Sequence, residues 1–171
     1  MRSLIKGLML SCVLLAVTSI IHAQMRPAKM LPHAAKVSFT VKMNAEQVWE
    51  KLIKIKEFEH YSNGMVVSSQ NEGFALGARR FYKLADGTER EDELSVFAPQ
   101  VKKIVYKSIK TNLPIQYCYI HYQVFEKGKN KAKVSLTAYA KPKEKTSKKE
   151  LKKLITSEFK NIEAGMKQYF R

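Results

Sequence analysis

The sequence predicts an α+β domain in which a curved antiparallel sheet of six to seven strands wraps around a long C-terminal helix, with two short helices after the first strand. Three observations predict it. Between about residues 65 and 142, short segments rich in β-branched and aromatic residues alternate with turn signals, at intervals that suit strands joined by hairpins. Ahead of them, a strand-like segment runs straight into a helix-like one. After Pro142 a single amphipathic pattern continues to the C-terminus.

The chain opens with Met1-Arg2-Ser3-Leu4-Ile5-Lys6, then an uncharged apolar stretch from Gly7 to Ile21, then Ile21-His22-Ala23. Those are the charged region, apolar region and small-residue cleavage site of a secretory signal. The apolar stretch falls short of the ~20 residues a spanning helix needs, so residues 1–23 are expected to be cleaved near Ala23 and the protein exported, to the periplasm or the medium. Residues 24–36, with Pro27 and Pro32 and no hydrophobic period, read as a flexible leader. The remainder, 37–171, suits one domain with a sizeable core.

Val37 to Met43 alternates apolar and polar residues, the pattern of a half-buried strand. Asn44 with Gln47 forms a capping box, and Val48, Trp49, Leu52 and Ile53 recur at helical spacing, with Trp49 as a core anchor. A second helical segment over Glu57 to Tyr61 ends at Asn63-Gly64, where glycine can take the left-handed conformation. Strands are expected near 65–70, 78–85, 88–97, 101–110, 115–126 and 131–140, pairing with their neighbours as an antiparallel meander. Ser147 and Glu150 form a second capping box. In the helix it opens, Leu151, Leu154, Ile155, Phe159, Ile162, Met166, Tyr169 and Phe170 share one arc. Only the inner face of the sheet is large enough to cover that arc.

The formal net charge is +16. For an exported protein such a charge points to polyanions outside the cytoplasm, anionic lipid headgroups among them, or serves solubility alone. No zinc-finger spacing, aromatic RNA-binding signature or helix-turn-helix pattern is present, so nucleic acid is not the expected partner. Cys118 and His121 should face opposite sides of their strand, which removes a cysteine–histidine pair. With no spaced set of Cys, His and carboxylate residues, no metal or other cofactor is expected. Oligomeric state leaves no signal in the sequence.

Several short pieces occur in a telling order: Ala45-Glu46-Gln47-Val48-Trp49, Gly77-Ala78-Arg79-Arg80, Asp86-Gly87, Asp92-Glu93-Leu94, Tyr106 and Leu113-Pro114. In them, and in its element order, the chain from Val37 onward resembles the SRPBCC superfamily of helix-grip proteins. That superfamily holds START-like lipid carriers, plant pathogenesis-related allergens and the polyketide cyclase/dehydrase group, to which the match is closest. The resemblance implies an apolar cavity, between sheet and C-terminal helix, for a hydrophobic small molecule or lipid. It sets Arg80 on a frequent arginine after the glycine turn, and Asp92 where many members carry a glutamate one methylene longer.

Strand and helix periodicity, joined to that resemblance, give a candidate ligand-binding wall. From the strands come Arg80, Tyr82, Asp92, Leu94, Tyr106, Ile120, Tyr122 and Leu136; from the helix come Ile155, Glu158, Phe159, Ile162 and Met166. Arg90, Asp92, Leu94 and Val96 are expected to share one face of their strand. A two-residue hairpin at Asp86-Gly87 would set Tyr82 opposite Glu91, and one extra residue would bring Asp92 to that face instead. Glu158 interrupts the apolar arc of the helix, where its carboxylate could pair with Arg80 or reach water at the cavity mouth. The leading expectation is a non-enzymatic exported carrier or sensor. The alternatives are a cyclase-like enzyme using Arg80, Asp92 and Glu158 as acid, base or charge stabiliser, and a basic protein that associates with anionic lipid or an exported partner.

Overall fold

The computed structural model describes residues 33–171; the expected signal peptide and most of the expected leader lie outside the described residues. Seven strands and three helices follow in the order β1 (Ala35–Val41), α1 (Ala45–Leu52), α2 (Phe58–Tyr61), β2 (Val66–Glu72), β3 (Arg79–Leu84), β4 (Glu89–Ala98), β5 (Lys103–Lys110), β6 (Ile115–Glu126), β7 (Ala132–Pro142) and α3 (Lys148–Tyr169). The strands form one antiparallel sheet in the order β1-β7-β6-β5-β4-β3-β2. It is the meander expected from the turn spacing, with β1 added beside β7, where Phe39 lies opposite Val134. Sheet and C-terminal helix together make the helix-grip arrangement.

Both capping boxes close on their backbone side. Asn44 Oδ1 accepts the Gln47 N–H at 2.9 Å and Ser147 Oγ accepts the Glu150 N–H at 3.1 Å, each satisfying a donor the helix leaves open. α1 buries Val48, Trp49 and Leu52, and α3 buries Leu151, Ile155, Phe159, Ile162 and Met166. Leu154 departs from its expected place in the arc and is exposed, because the buried stripe is narrower than the apolar one. At the far end of α3, the Lys42 N–H donates to the Phe170 carbonyl at 3.2 Å and ties the C-terminus to the end of β1.

Four features differ from the sequence reading in ways that matter to the site, each for a physical reason. β1 begins at Ala35, so Ala35 and Lys36 belong to the sheet and not to the leader; Ala35 is small enough to lie flat opposite Ala138. β5 begins two residues late, because Pro99, without an N–H, opens a 3-10 turn that Lys102 ends in the left-handed conformation. The β3–β4 turn has three residues, Ala85, Asp86 and Gly87, between the hydrogen-bonded pair Leu84 and Thr88. Gly87 takes φ +83°, and the Leu84 N–H donates to the Thr88 carbonyl at 2.8 Å. That third residue sets Arg80 opposite Asp92 and Tyr82 opposite Arg90, so Asp92 faces inward and Glu91 does not. Finally, a register shift between Leu94 and Val96 turns Val96 outward and brings Phe97 to the inner face, where it stacks on Trp49 at 5.8 Å.

Candidate functional site

An apolar cleft of about 490 Å³ opens beside the inner face of β4 and β5. Leu94 and Phe97 of β4 and Ile104 and Tyr106 of β5 form its floor. Ile53, Lys54, Lys56 and Glu57, from the segment between α1 and α2, form one wall, and Asn71 and Phe74, at the end of β2, form the other. Of the thirteen residues expected to bind ligand, Leu94 and Tyr106 line this cleft. Ile155, Phe159, Ile162 and Met166 of α3 are buried and do not line it. Tyr122 and Leu136 are fully buried and Ile120 partly so, in one core cluster with those helix residues.

Behind the floor lies a buried ionic cluster. Arg80 donates to Asp92 Oδ2 at 2.7 Å from the neighbouring strand, and both residues are at most 1% exposed. The Tyr82 hydroxyl donates to the same oxygen at 3.0 Å, and Ser108 Oγ donates to Asp92 Oδ1 at 3.0 Å. The Arg80 guanidinium lies between the rings of Phe58 and Tyr106, 4.1 Å from each centroid, an arrangement that favours a desolvated cation. Burial alone would push the Arg80 pKa down, but the Asp92 carboxylate holds it above the ordinary arginine value. The cation is therefore fixed in the core, and Asp92 accepts three hydrogen bonds. Its partners are one guanidinium and two hydroxyls.

Glu158 pairs with Arg90 and not with Arg80. Its two oxygens accept from the Arg90 guanidinium at 2.6 and 3.1 Å, while Arg90 Nε donates to Asn112 Oδ1 at 2.8 Å. The reason is position along the sheet: Arg90 and the start of α3 lie at the end where β4 begins, whereas Arg80 is held by its cross-strand partner. The bidentate pair clamps α3 to the sheet. The cleft lies toward the opposite end of β4, so Arg80, Asp92 and Glu158, named together for an enzyme, are not brought together around it.

Cys118 and His121 face opposite sides of β6. Burial pushes the Cys118 thiol up to about 12, so it is not ionised at neutral pH. On the outer face His121 packs 4.7 Å from Tyr139, and burial, with Lys103 nearby, lowers its pKa to about 4. A histidine depressed in the folded state takes its proton first in the unfolded chain. Its contribution is thus complete above the unfolded pKa of about 6.5 and is lost as pH falls through about 4. Thermal unfolding should accordingly weaken more between pH 6.5 and pH 4 for the parent than for a His121→Gln variant; equal pH dependence would contradict the assignment.

Phe97, Phe74, Asn71, Lys54, Lys56 and Glu57 are the lining residues that periodicity did not single out. Phe97 reaches the cleft only through the shift after Leu94, Asn71 lies at the end of β2, and the others lie in connections, where no period applies. Among the described residues no group of three or more His, Cys, Asp and Glu side chains is placed to hold a metal, and no helix is long and apolar enough to cross a membrane.

No protein-family model matches the chain, and no curated protein matches it. Solved structures do. XoxI from Bacillus cereus superposes with a TM-score of 0.71 at 20% identity, covering 79% of this chain and 93% of its own. Norcoclaurine synthase from Thalictrum flavum, solved with dopamine and hydroxybenzaldehyde, superposes at 0.58 and 14% identity, covering 78% and 83%. The di-domain aromatase/cyclase BexL superposes at 0.68 and 11% identity, covering 78% of this chain and 45% of its own. At these identities the likeness is one of fold alone, the helix-grip arrangement.

Proposed function

We propose that this protein is exported and binds a hydrophobic small molecule or lipid in the cleft between β4, β5 and the segment joining α1 to α2, without transforming it. The observation that carries the reading is the division of labour within the site. The floor of the cleft is Leu94, Phe97, Ile104 and Tyr106, all apolar or aromatic, while the ionisable groups behind it, Arg80 and Asp92, are engaged with each other. A cleft of this size suits a small apolar ligand, held by burial at about 25 cal/mol per Å². Norcoclaurine synthase and BexL use the same fold for enzymes, so the fold is compatible with catalysis too. What favours binding is that Asp92 is satisfied by three donors and that Glu158 is tied to Arg90 at the other end of the strand.

The test is native mass spectrometry of protein secreted from a bacterium that expresses the chain with its leader. The expected result is a chain beginning near Gln24 that carries a co-purified apolar molecule. Phe97→Ala, which removes a half-exposed ring from the floor, should weaken that association by about five- to ten-fold, from the area it contributes. An intact Met1 terminus would overturn export. A ligand released in chemically altered form after incubation would overturn the non-enzymatic reading.

A further inference from the structure

In an antiparallel sheet alternate connections leave the same end. The β2–β3, β4–β5 and β6–β7 connections therefore lie side by side, in that spatial order, at one end of the molecule. Their side chains are unusual for a solvated rim. Phe74 is 96% exposed and Leu76 64% exposed on the first connection, Val101 is 54% exposed on the second, and Phe125 is exposed where β6 enters the third. Gly73 and Gly77, with φ of +84° and +86°, bracket Phe74 and Leu76 and turn the chain sharply on either side of them.

The same rim is cationic. Lys127, Lys129 and Lys131 are exposed on the β6–β7 connection, and none forms an ion pair with a described carboxylate. Lys102, on the β4–β5 connection, is paired with Glu46, and Glu72 and Glu126 are the acidic residues at the ends of the flanking strands. Exposed apolar side chains set among lysines without a carboxylate partner, Lys127 donating only to Thr40 Oγ1 at 2.9 Å, are the combination a bilayer surface satisfies: the apolar groups enter the boundary with the acyl chains and the ammonium groups meet lipid phosphates. The other lysine-rich face, Lys149, Lys152, Lys153 and Lys160 on α3, offers charge with one half-exposed leucine, Leu154, and lies toward the opposite end.

We propose that the end of the sheet formed by these three connections docks on an anionic lipid bilayer. The docking does not require a ligand in the cleft, although Phe74 belongs to both and the cleft would then open beside the membrane. A nucleic acid or an acidic protein would use the lysines but would have no need of Phe74, Leu76 and Val101.

The test is co-sedimentation of the chain beginning at Gln24, whose described part forms its own compact unit, with phosphatidylcholine vesicles containing about one third phosphatidylglycerol. Binding should be seen on these and not on pure phosphatidylcholine, and should weaken as salt rises past about 0.15 M, where the Debye length is about 8 Å. Lys127→Gln/Lys129→Gln/Lys131→Gln should weaken it on the order of 100-fold, at about five-fold per lysine. Leu76→Ser/Val101→Ser should weaken it about ten-fold through lost apolar burial. Neither Leu76 nor Val101 lines the cleft, so unchanged ligand retention in that variant separates docking from the binding reading above. Lys149→Gln/Lys152→Gln/Lys153→Gln should change binding less than about three-fold, since these side chains sit farther from the rim than the distance over which salt screens. Full binding by the serine variant, a larger loss from the α3 variant than from the rim variant, or binding to heparin without binding to vesicles would each overturn the proposal.

Discussion

Replacing Asp92 with alanine should destabilise the domain by about 3–5 kcal/mol, because it leaves the Arg80 cation buried with no counter-charge. For a domain of this size that corresponds to a fall of roughly 10–20 °C in Tm. The loss comes mostly from the orphaned charge and less from the missing bonds. Water cannot reach a guanidinium that is 1% exposed and held between Phe58 and Tyr106, and the other polar groups near it are hydroxyls. Chemical unfolding of the single variant beside Arg80→Met/Asp92→Leu makes the distinction. The double variant removes the charge as well, and a methionine can lie between the same two rings. It should therefore recover at least about 2 kcal/mol of the single variant's loss. A double variant as unstable as Asp92→Ala would show that the hydrogen bonds from Tyr82 and Ser108, and not the uncompensated cation, carry the cost.

Much of this cluster could be read in the sequence, and its limits have a definite origin. Strand parity places Arg80 and Tyr82 together in the candidate wall, and both are buried. Whether Asp92 or Glu91 met them depended on a single loop residue. Side chains alternate with a period of two, so one residue more in the Ala85-Asp86-Gly87 loop exchanges the faces of the whole following strand. Phe97 was lost to the same effect in reverse, because the shift after Leu94 changes parity inside a strand, where sequence carries no turn signal. The arc of α3 correctly marked Ile155, Phe159, Ile162 and Met166 as inward, but periodicity reports which face is covered and not whether side chains or empty space cover it. Glu158 shows a third limit. An inward carboxylate implies a partner, and the choice between Arg80 and Arg90 depends on where along a strand the helix crosses, a distance that no local pattern encodes. The expected export signal falls on residues 1–23, outside the described residues, and rests on their sequence alone.

Gly165→Ala should destabilise the domain by about 2–4 kcal/mol, against the direction helix propensity dictates. In the interior of a helix, alanine is favoured over glycine by about 0.5–1 kcal/mol, and Gly165 lies inside α3 at an ordinary helical position. Its surroundings reverse the sign. A methyl group at Gly165 would stand 2.6 Å from the Asn63 nitrogen and 2.7 Å from the Tyr61 carbonyl carbon, closer still to that carbonyl's oxygen. These are backbone atoms in the turn that ends α2, with Asn63 at φ +55° and Gly64 at φ +74°, so they cannot rotate away as a side chain would. The strain is relieved only if α3 and α2 separate, which loosens the packing of Tyr61 against Phe170, whose rings lie 5.9 Å apart, and unpacks the buried Met166. The consequence reaches the cleft, because α2 continues directly from the turn that carries Lys56 and Glu57, and Tyr169 of α3 donates a hydrogen bond to Glu57. Urea unfolding of Gly165→Ala, with Ser157→Ala on the exposed side of the same helix as the reference, separates the two effects. Ser157→Ala should gain a few tenths of a kcal/mol from propensity, while Gly165→Ala should lose about ten times that amount. Below its unfolding transition, Gly165→Ala should also hold a cleft ligand more weakly than the parent, because the wall formed by Lys56 and Glu57 has moved. A gain in stability comparable to that of Ser157→Ala would mean that α3 and α2 do not approach this closely, and the wall of the cleft would then lose the support argued for it.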